Sequence, residues 1–386
     1  MPMPDDARAR TSRFAGLDGL RGIAALVVLI HHVLLSDPGL ADAYLRHTSL
    51  PPAQKAITYT PLHLFWAGSE AVLVFFVLSG FVLSAGVTNG HRPRWLDYYP
   101  RRLLRLYLPV LAALALALPQ GRWLRPSSPD HEASWVYNAS GGLGTFHNLL
   151  HDGSLAHRKA TFLDGPLWSL HWEVLYSLAL PAYLLLLTVR RRSAALLAAT
   201  VLLLLTAFGV RHGSDELTFL PVFGLGVLAA GNQAALGDLA RRWSSWIVAA
   251  GGLLLTTQWT VTGFRDPSPT MSAATTAAAV VGAAFVTVGF LSGTVARWAG
   301  EDPRVRWLGR RSFSLYLTHA PIIVSTAYLL GGHPPVWLLL VLCVPAALLV
   351  AELFGRFVEE PAHDLSKRVG RWVVNRRDSP TSVMTE

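Results

Sequence analysis

Apolar and polar positions along this chain alternate in long blocks, and the apolar blocks have the length of a bilayer crossing. They lie near residues 17–35, 62–86, 103–118, 166–189, 193–210, 217–233, 246–262, 271–292, 313–330 and 336–357. A helix needs roughly 20 apolar residues to cross the hydrocarbon of a membrane. The pattern therefore predicts an all-α, polytopic transmembrane helix bundle of about ten spans. An even count puts both ends on one side. Basic residues cluster at Arg101, Arg102 and Arg105, at Arg190, Arg191 and Arg192, at Arg241 and Arg242, and at Arg310 and Arg311. The positive-inside rule assigns those connections and both termini to the cytoplasm. The expected organisation is a cytoplasmic tail over 1–16, one membrane domain over 17–357 and a cytoplasmic tail over 358–386. The longest connection, near 119–165, then lies outside. It reads as loop with one short helix around "TFHNLLHDG".

Composition agrees with this reading. Of 386 residues, 52% are hydrophobic and only 15% charged, too little charge to cover a soluble protein of this size. The net charge of +9 would suit nucleic acid if it formed one patch. Here it is interleaved with apolar spans, so no nucleic-acid partner is expected and the partner is the bilayer of the cell membrane. The single cysteine, Cys343, allows no internal disulfide. The first apolar run carries polar residues and no cleavage pattern, so it is not read as a cleaved signal. With only short polar stretches before Leu17 and after Val358, chemistry is expected within or beside the membrane.

The polar residues inside the spans supply that chemistry. In "LDGLRGIAALVVLIHHVLL", Arg21 and His32 are eleven residues apart, about three helical turns, and share a face with Asp18. His31 points about 80° away, and His32 lies about 16 Å along the axis from Arg21. A histidine at that depth faces a bundle interior or a wet cavity. The plainer reading is a hydrogen bond to a neighbouring helix, with Arg21 reaching to the interface. In the fourth span Ser169, Glu173 and Ser177 share one face beside Tyr176, and in the ninth Ser312, Tyr316 and His319 do. Three polar stripes at a similar depth are what an intramembrane cavity requires. Packing networks between helices are the competing reading for Glu173 and His319. Ser79 and Gly80 fit close helix approach better than nucleophilic chemistry. His147 and His151 have helical spacing, but a zinc site needs at least three protein ligands, so no metal is expected.

Ordered motifs add a resemblance. "LDGLRGIAALVVLIHH", "FFVLSGFVLS" (Phe75 to Ser84), "RRLLRLYLP" (Arg101 to Pro109), "PLWSLHWEVLYSLALP" (Pro166 to Pro181), "LGRRSFSLYLTHAPII" (Leu308 to Ile323) and "FVEEPA" together resemble the membrane-bound acyltransferase-3 family, from near the start to residue 361. Leu175 and Phe313 replace the usual phenylalanine and tyrosine. Leu73 stands where the family often has an acid, and Glu70 lies one helical turn earlier. The resemblance implies an integral membrane O-acyltransferase.

Such an enzyme must remove the acceptor's proton, polarise a thioester and hold an anionic donor. His32, at the end of the family's R-x10-H spacing from Arg21, is the expected general base, either directly or through an acyl-histidine relay. The RxxR segment maps onto Arg102 and Arg105, which with Arg101 are expected to grip the phosphates of acyl-coenzyme A, a donor substrate and not a resident cofactor. Glu173 would orient His32 or bind an acceptor hydroxyl, with Tyr176, Ser79, Tyr316 and His319 in supporting roles. Trp135, Tyr137 and His147 are placed at an acceptor entrance. The expected acyl group is acetyl, and the expected acceptor a cell-envelope glycan or glycolipid. A small secondary metabolite such as a macrolide is the alternative within the family. A transporter or flippase, in which the same buried groups relay protons or bind cargo, is the alternative of another class.

Overall fold

The computed structural model describes residues 14–46, 50–90, 93–124, 135–139, 144–157, 163–188, 191–263, 267–332 and 334–378. Among them there is no strand. The helices in chain order are α1 (Ala15–Leu34), α2 (Pro38–Arg46), α3 (Pro52–Thr58), α4 (Gly68–Thr88), α5 (Trp95–Trp123), α6 (Trp135–Ala139), α7 (Phe146–Gly153), α8 (Trp168–Leu187) and α9 (Arg192–His212). They continue with α10 (Asp215–Gly231), α11 (Gln233–Leu255), α12 (Thr257–Thr262), α13 (Pro269–Gly289), α14 (Gly293–Glu301), α15 (Pro303–Leu329), α16 (Val336–Phe354) and α17 (Glu360–Asp378). A 3-10 turn, Pro61–Trp66, precedes α4, and a π-helical turn, Gly355–Glu359, joins α16 to α17.

Helix occurs at each of the ten expected spans, but the span count does not follow from that. Seven segments are long and apolar enough to cross a membrane alone: Ala15–Leu34, Gly68–Thr88, Trp95–Gln120, Gly165–Leu187, Arg192–His212, Pro269–Gly289 and Val336–Asn375. Helices α10 and α11 qualify only as a pair, bent by 86°, which makes eight at most. Helix α15 is long enough, yet Ser312, Ser314, Tyr316, Thr318 and His319 interrupt its apolar residues. The second expected span starts late. Pro61 opens the 3-10 turn under the Thr60 cap, and the chain breaks at Ala67 before α4 begins. In the long connection, the expected short helix is α7, capped where the Thr145 hydroxyl accepts from the Asn148 amide at 3.2 Å.

Apolar surface gains little by leaving lipid, so helices here associate through close backbone approach and polar contacts. Two glycine pairs set the bundle. A Cβ on Gly80 of α4 would lie 2.1 Å from the Phe223 carbonyl oxygen of α10, and one on Gly226 would lie 2.1 Å from that of Val77. Likewise, a Cβ on Gly22 of α1 would meet the Gly309 amide of α15 at 2.5 Å, and one on Gly309 would meet the Asp18 carbonyl at 2.5 Å. The second pair positions the site.

Candidate active site

Ten residues beyond Gly22 stands His32, and ten beyond Gly309 stands His319. Helices pressed together at the glycines and running in the same direction keep that register over about 15 Å. The result is a direct contact: His32 Nδ1 lies 2.8 Å from His319 Nε2. The proton positions follow from the surroundings. His319 Nδ1 faces two carbonyls, Tyr316 at 2.8 Å and Leu315 at 3.1 Å, and a carbonyl only accepts. The neutral His319 ring therefore carries its proton on Nδ1 and accepts at Nε2. His32 must donate from Nδ1, which leaves a lone pair on His32 Nε2. His319 thus acts as the orienting partner that fixes the tautomer of His32. The Trp135 indole of α6 stacks on His32, with centroids 4.7 Å apart.

Below this pair, α8 meets α15. The Tyr316 hydroxyl donates to the Pro166 carbonyl at 2.7 Å, and the Ser169 hydroxyl lies 2.7 Å from the Tyr316 oxygen and donates to it. The Tyr316 ring centroid is 5.8 Å from those of both His319 and Phe75. Tyr316 and Phe75 in turn line a cavity of about 330 Å³. Ser79, Ser169, Leu106, Leu170 and Phe313 line it too, and Arg21, Arg102, Arg105 and Arg310 line it with Asp18, Glu173 and Glu359. His32 and His319 are not among the lining residues. They lie one side-chain layer further in.

The carboxylates face the arginines. Glu173 pairs with Arg102, whose Nε also donates to Ser177 Oγ at 3.0 Å. Asp18 accepts from Arg21 at 3.2 Å. Glu359 accepts from the Ser314 hydroxyl at 2.5 Å and lies within electrostatic reach of Arg105. The structure therefore brings Arg21, Arg102, Arg105, Glu173, Ser79 and Tyr316 to one cavity, and His32 and His319 to one contact above it. It places Glu173 against Arg102, not His32. Arg101 lies elsewhere, pairing with Asp97 at 2.7 Å beneath Gly370 of α17. Tyr176 stacks on Phe223 at 4.5 Å and is fully buried in the α4–α10 contact. His147 is exposed, and the Tyr137 side chain lies outside the described residues. Sequence reading missed Arg310, Glu359 and Phe75 as cavity residues. The clue to Glu359 was the terminal E-x-P motif, and the clue to Arg310 was its place beside Ser312 and Tyr316 on α15.

In the connection between α7 and α8, Asp164 is buried, and neither carboxylate oxygen has a hydrogen-bond partner among the described residues. Burial and the nearby Asp152 charge push its carboxyl well above the usual range. His151 Nδ1 lies 3.1 Å from Asp152, and its ring stacks on His157. Among the described residues, no three His, Cys, Asp or Glu gather as metal ligands.

Polar stripes from α1, α8 and α15 thus converge inside a membrane bundle beside a basic cavity, and the family the chain matches makes it a membrane group-transfer enzyme. A family model for an acyltransferase domain matches residues 14–356, and the chain belongs to this acyltransferase-3 family of multi-pass membrane proteins. Two curated relatives match over short stretches. The O-acetyltransferase PaAT-1 of Phomopsis amygdali is 40% identical over 68 residues, 18% of this chain and 13% of that protein. The peptidoglycan O-acetyltransferase OatA of Listeria monocytogenes is 43% identical over 58 residues, 15% of this chain and 9% of that protein. The chain thus spans well under a fifth of the length of either relative. No solved structure matches.

Proposed function

We propose that the protein is a membrane O-acyltransferase that takes an acyl group, acetyl in the simplest case, from cytoplasmic acyl-coenzyme A. The observation that carries this is the fixed proton arrangement of His32 and His319, which leaves a basic nitrogen on His32 one layer beyond an arginine-lined cavity. A coenzyme A donor is a chain with phosphates at one end and a thioester at the other. Arg21, Arg102, Arg105 and Arg310 suit the phosphates, because guanidinium forks bind them with charge-assisted bonds. The apolar lining of Leu106, Leu170 and Phe313 suits the pantetheine arm, which would bring the thioester to Ser169 and Tyr316.

His32 Nε2 then takes the acceptor's hydroxyl proton as the oxygen attacks the thioester carbonyl. The C–S bond breaks, and the proton passes on to the departing thiolate, so an ester and a free thiol leave. His319 stabilises the charged His32 ring by accepting its Nδ1 proton in a hydrogen bond. An acyl-histidine relay through the same Nε2 also fits this geometry. The peptidoglycan acceptor named for the Listeria relative supports a cell-envelope glycan as the acceptor class. The cytoplasmic position of the arginine end, both termini on that side and residence in the cell membrane belong to this proposal.

The test is transfer of labelled acetyl from acetyl-coenzyme A by purified protein to glycan acceptors. His32→Ala, with insertion and donor binding intact, is expected to lower turnover by about 10²–10⁴-fold, the contribution of a general base. Normal turnover by that variant would rule out the mechanism.

A further inference from the structure

We propose that His31, clamped by the first turn of α4, is a positioning residue that aims His32. The inference rests on the reading of His32 as the base. His31 is buried, and its Nδ1 lies 2.8 Å from the Trp66 carbonyl. That nitrogen must carry a proton, because the carbonyl only accepts. Trp66 closes the 3-10 turn, where a carbonyl lacks a helical partner, and the His31 ring supplies one. The ring also stacks on Trp66, with centroids 5.7 Å apart, and meets Tyr44 edge-on at 4.8 Å.

The three residues that open α4 complete the clamp. A Cβ on Gly68 would fall 2.4 Å from His31 Cγ, so the ring occupies the space a side chain would take. Ser69 bonds the Tyr44 hydroxyl. Glu70 Oε1 accepts from the Trp259 indole at 2.9 Å, and Trp259 stacks on Tyr44 at 4.8 Å. Gly68, Ser69 and Glu70 therefore bind His31 and, through Tyr44 and Trp259, the groups around it.

A clamp at this place has a purpose. Helix α1 ends at Leu34, two residues past His32, and the last turn of a helix has few bonds of its own to hold it. At the radius of a helix with side chains, a rotation of about 20° moves a ring by about 2 Å, enough to break the 2.8 Å contact with His319. Pinning the adjacent residue on a different face fixes that rotation. The Gly22–Gly309 contact holds the register at one end of the helix, and His31 holds it at the other.

The test compares His31→Phe, Gly68→Ala and His31→Asn in the full-length protein. The Asn amide nitrogen stands where Nδ1 stood and restores the bond to Trp66. Two readouts are used: turnover with labelled acetyl-coenzyme A, and carbethoxylation of His32 by diethyl pyrocarbonate, mapped by peptide mass spectrometry without substrate. His31→Phe and Gly68→Ala are expected to lower kcat by about tenfold or more, leave the donor KM unchanged and alter the rate of His32 modification. His31→Asn is expected to restore both. His31→Phe with normal kcat and normal His32 reactivity overturns the proposal, and so does His31→Asn performing no better than His31→Phe. Where His31→Phe fails to insert, Gly68→Ala against His31→Asn decides between the same two outcomes. A wild-type protein that transfers no acetyl, with His32 reactivity still following His31, sinks the acyl-transfer reading and leaves the positioning role standing.

Discussion

The Glu173–Arg102 pair lies inside the arginine-lined cavity. On the proposed reading of Arg102 as a phosphate ligand, the Glu173 carboxylate paired with it stands where a donor phosphate oxygen would bind. Asp18 does the same for Arg21. A buried charge left without a partner is costly, so an arginine site kept ready for phosphate needs such stand-ins. Glu173→Gln removes the competitor and leaves Arg102 to the donor. Isothermal titration with coenzyme A is expected to show tighter binding for Glu173→Gln and, for Arg102→Gln, binding weaker by about tenfold or more, the scale of a charge-assisted bond. Weaker binding for both variants would make Glu173 a donor ligand instead. Asp164 poses a different problem, a buried carboxyl with no hydrogen-bond partner among the described residues and a raised pKa. The folded protein keeps this proton at pH values where an unfolded chain, with its carboxyl near 3.9, has lost it. Stability from this group is therefore complete below about pH 4 and falls as pH rises through the folded value. Asp164→Asn is expected to raise the midpoint of thermal unfolding in detergent at pH 8 more than at pH 4. An equal shift at both pH values would remove burial of the charge as the cause. At this scale much of the site was legible. Helical spacing put Arg21 with His32, and Ser169 with Glu173, on single faces. Spacing names a face but not the neighbour across from it, so Arg102 as the partner of Glu173, 71 residues away, was beyond it.

Single elements were legible in the same uneven way. Apolar runs located the membrane helices, and Thr145 marked the start of α7. The end of α10 was legible, because the apolar run stops at 233 ahead of Asp238, Arg241 and Arg242, but the 86° bend into α11 was not, and the break at Ala67 fell inside a single expected span. Helical spacing does not single out the glycines of α1 and α15. Their pairing appears when the two helices are seen to run in parallel with equal offsets to His32 and His319. Gly309 therefore sets the distance between the histidines as well as helix packing. Gly309→Val places a branched side chain against the Asp18 carbonyl, at a cost of about 1–3 kcal/mol for overpacking. The variant is expected to lose turnover more steeply than stability, because the contact between the rings opens before the bundle fails. Measuring kcat alongside the thermal midpoint separates the two. A loss of activity no larger than the loss of folded protein would mean that the register has slack.

At the scale of the whole molecule, the proposed function depends on which side of the membrane the arginine cavity faces. Acyl-coenzyme A is cytoplasmic, so the reading requires the Arg102 end of the bundle, together with α17, to face inward, and α7 to face outward. The relation of the chain's ends turns on two elements, the bent pair α10–α11 and the polar helix α15, each of which reverses it by crossing or not crossing. The native chain suits a direct measurement. Its one cysteine, Cys343, is buried, so a membrane-impermeant maleimide meets little background. Phe146 of α7 and Trp372 of α17 are 72% and 53% exposed, and each can carry a reporter cysteine. In intact cells Phe146→Cys is expected to be labelled at once, and Trp372→Cys only after permeabilisation. The reverse pattern would turn the arginine cavity away from the coenzyme A pool. Labelling of both from outside would place α7 and α17 on one face and contradict the parallel course of α1 and α15 through the membrane. Either result would leave His32 with its fixed tautomer but without a thioester to act on, because a donor with several phosphates cannot cross the bilayer to reach it.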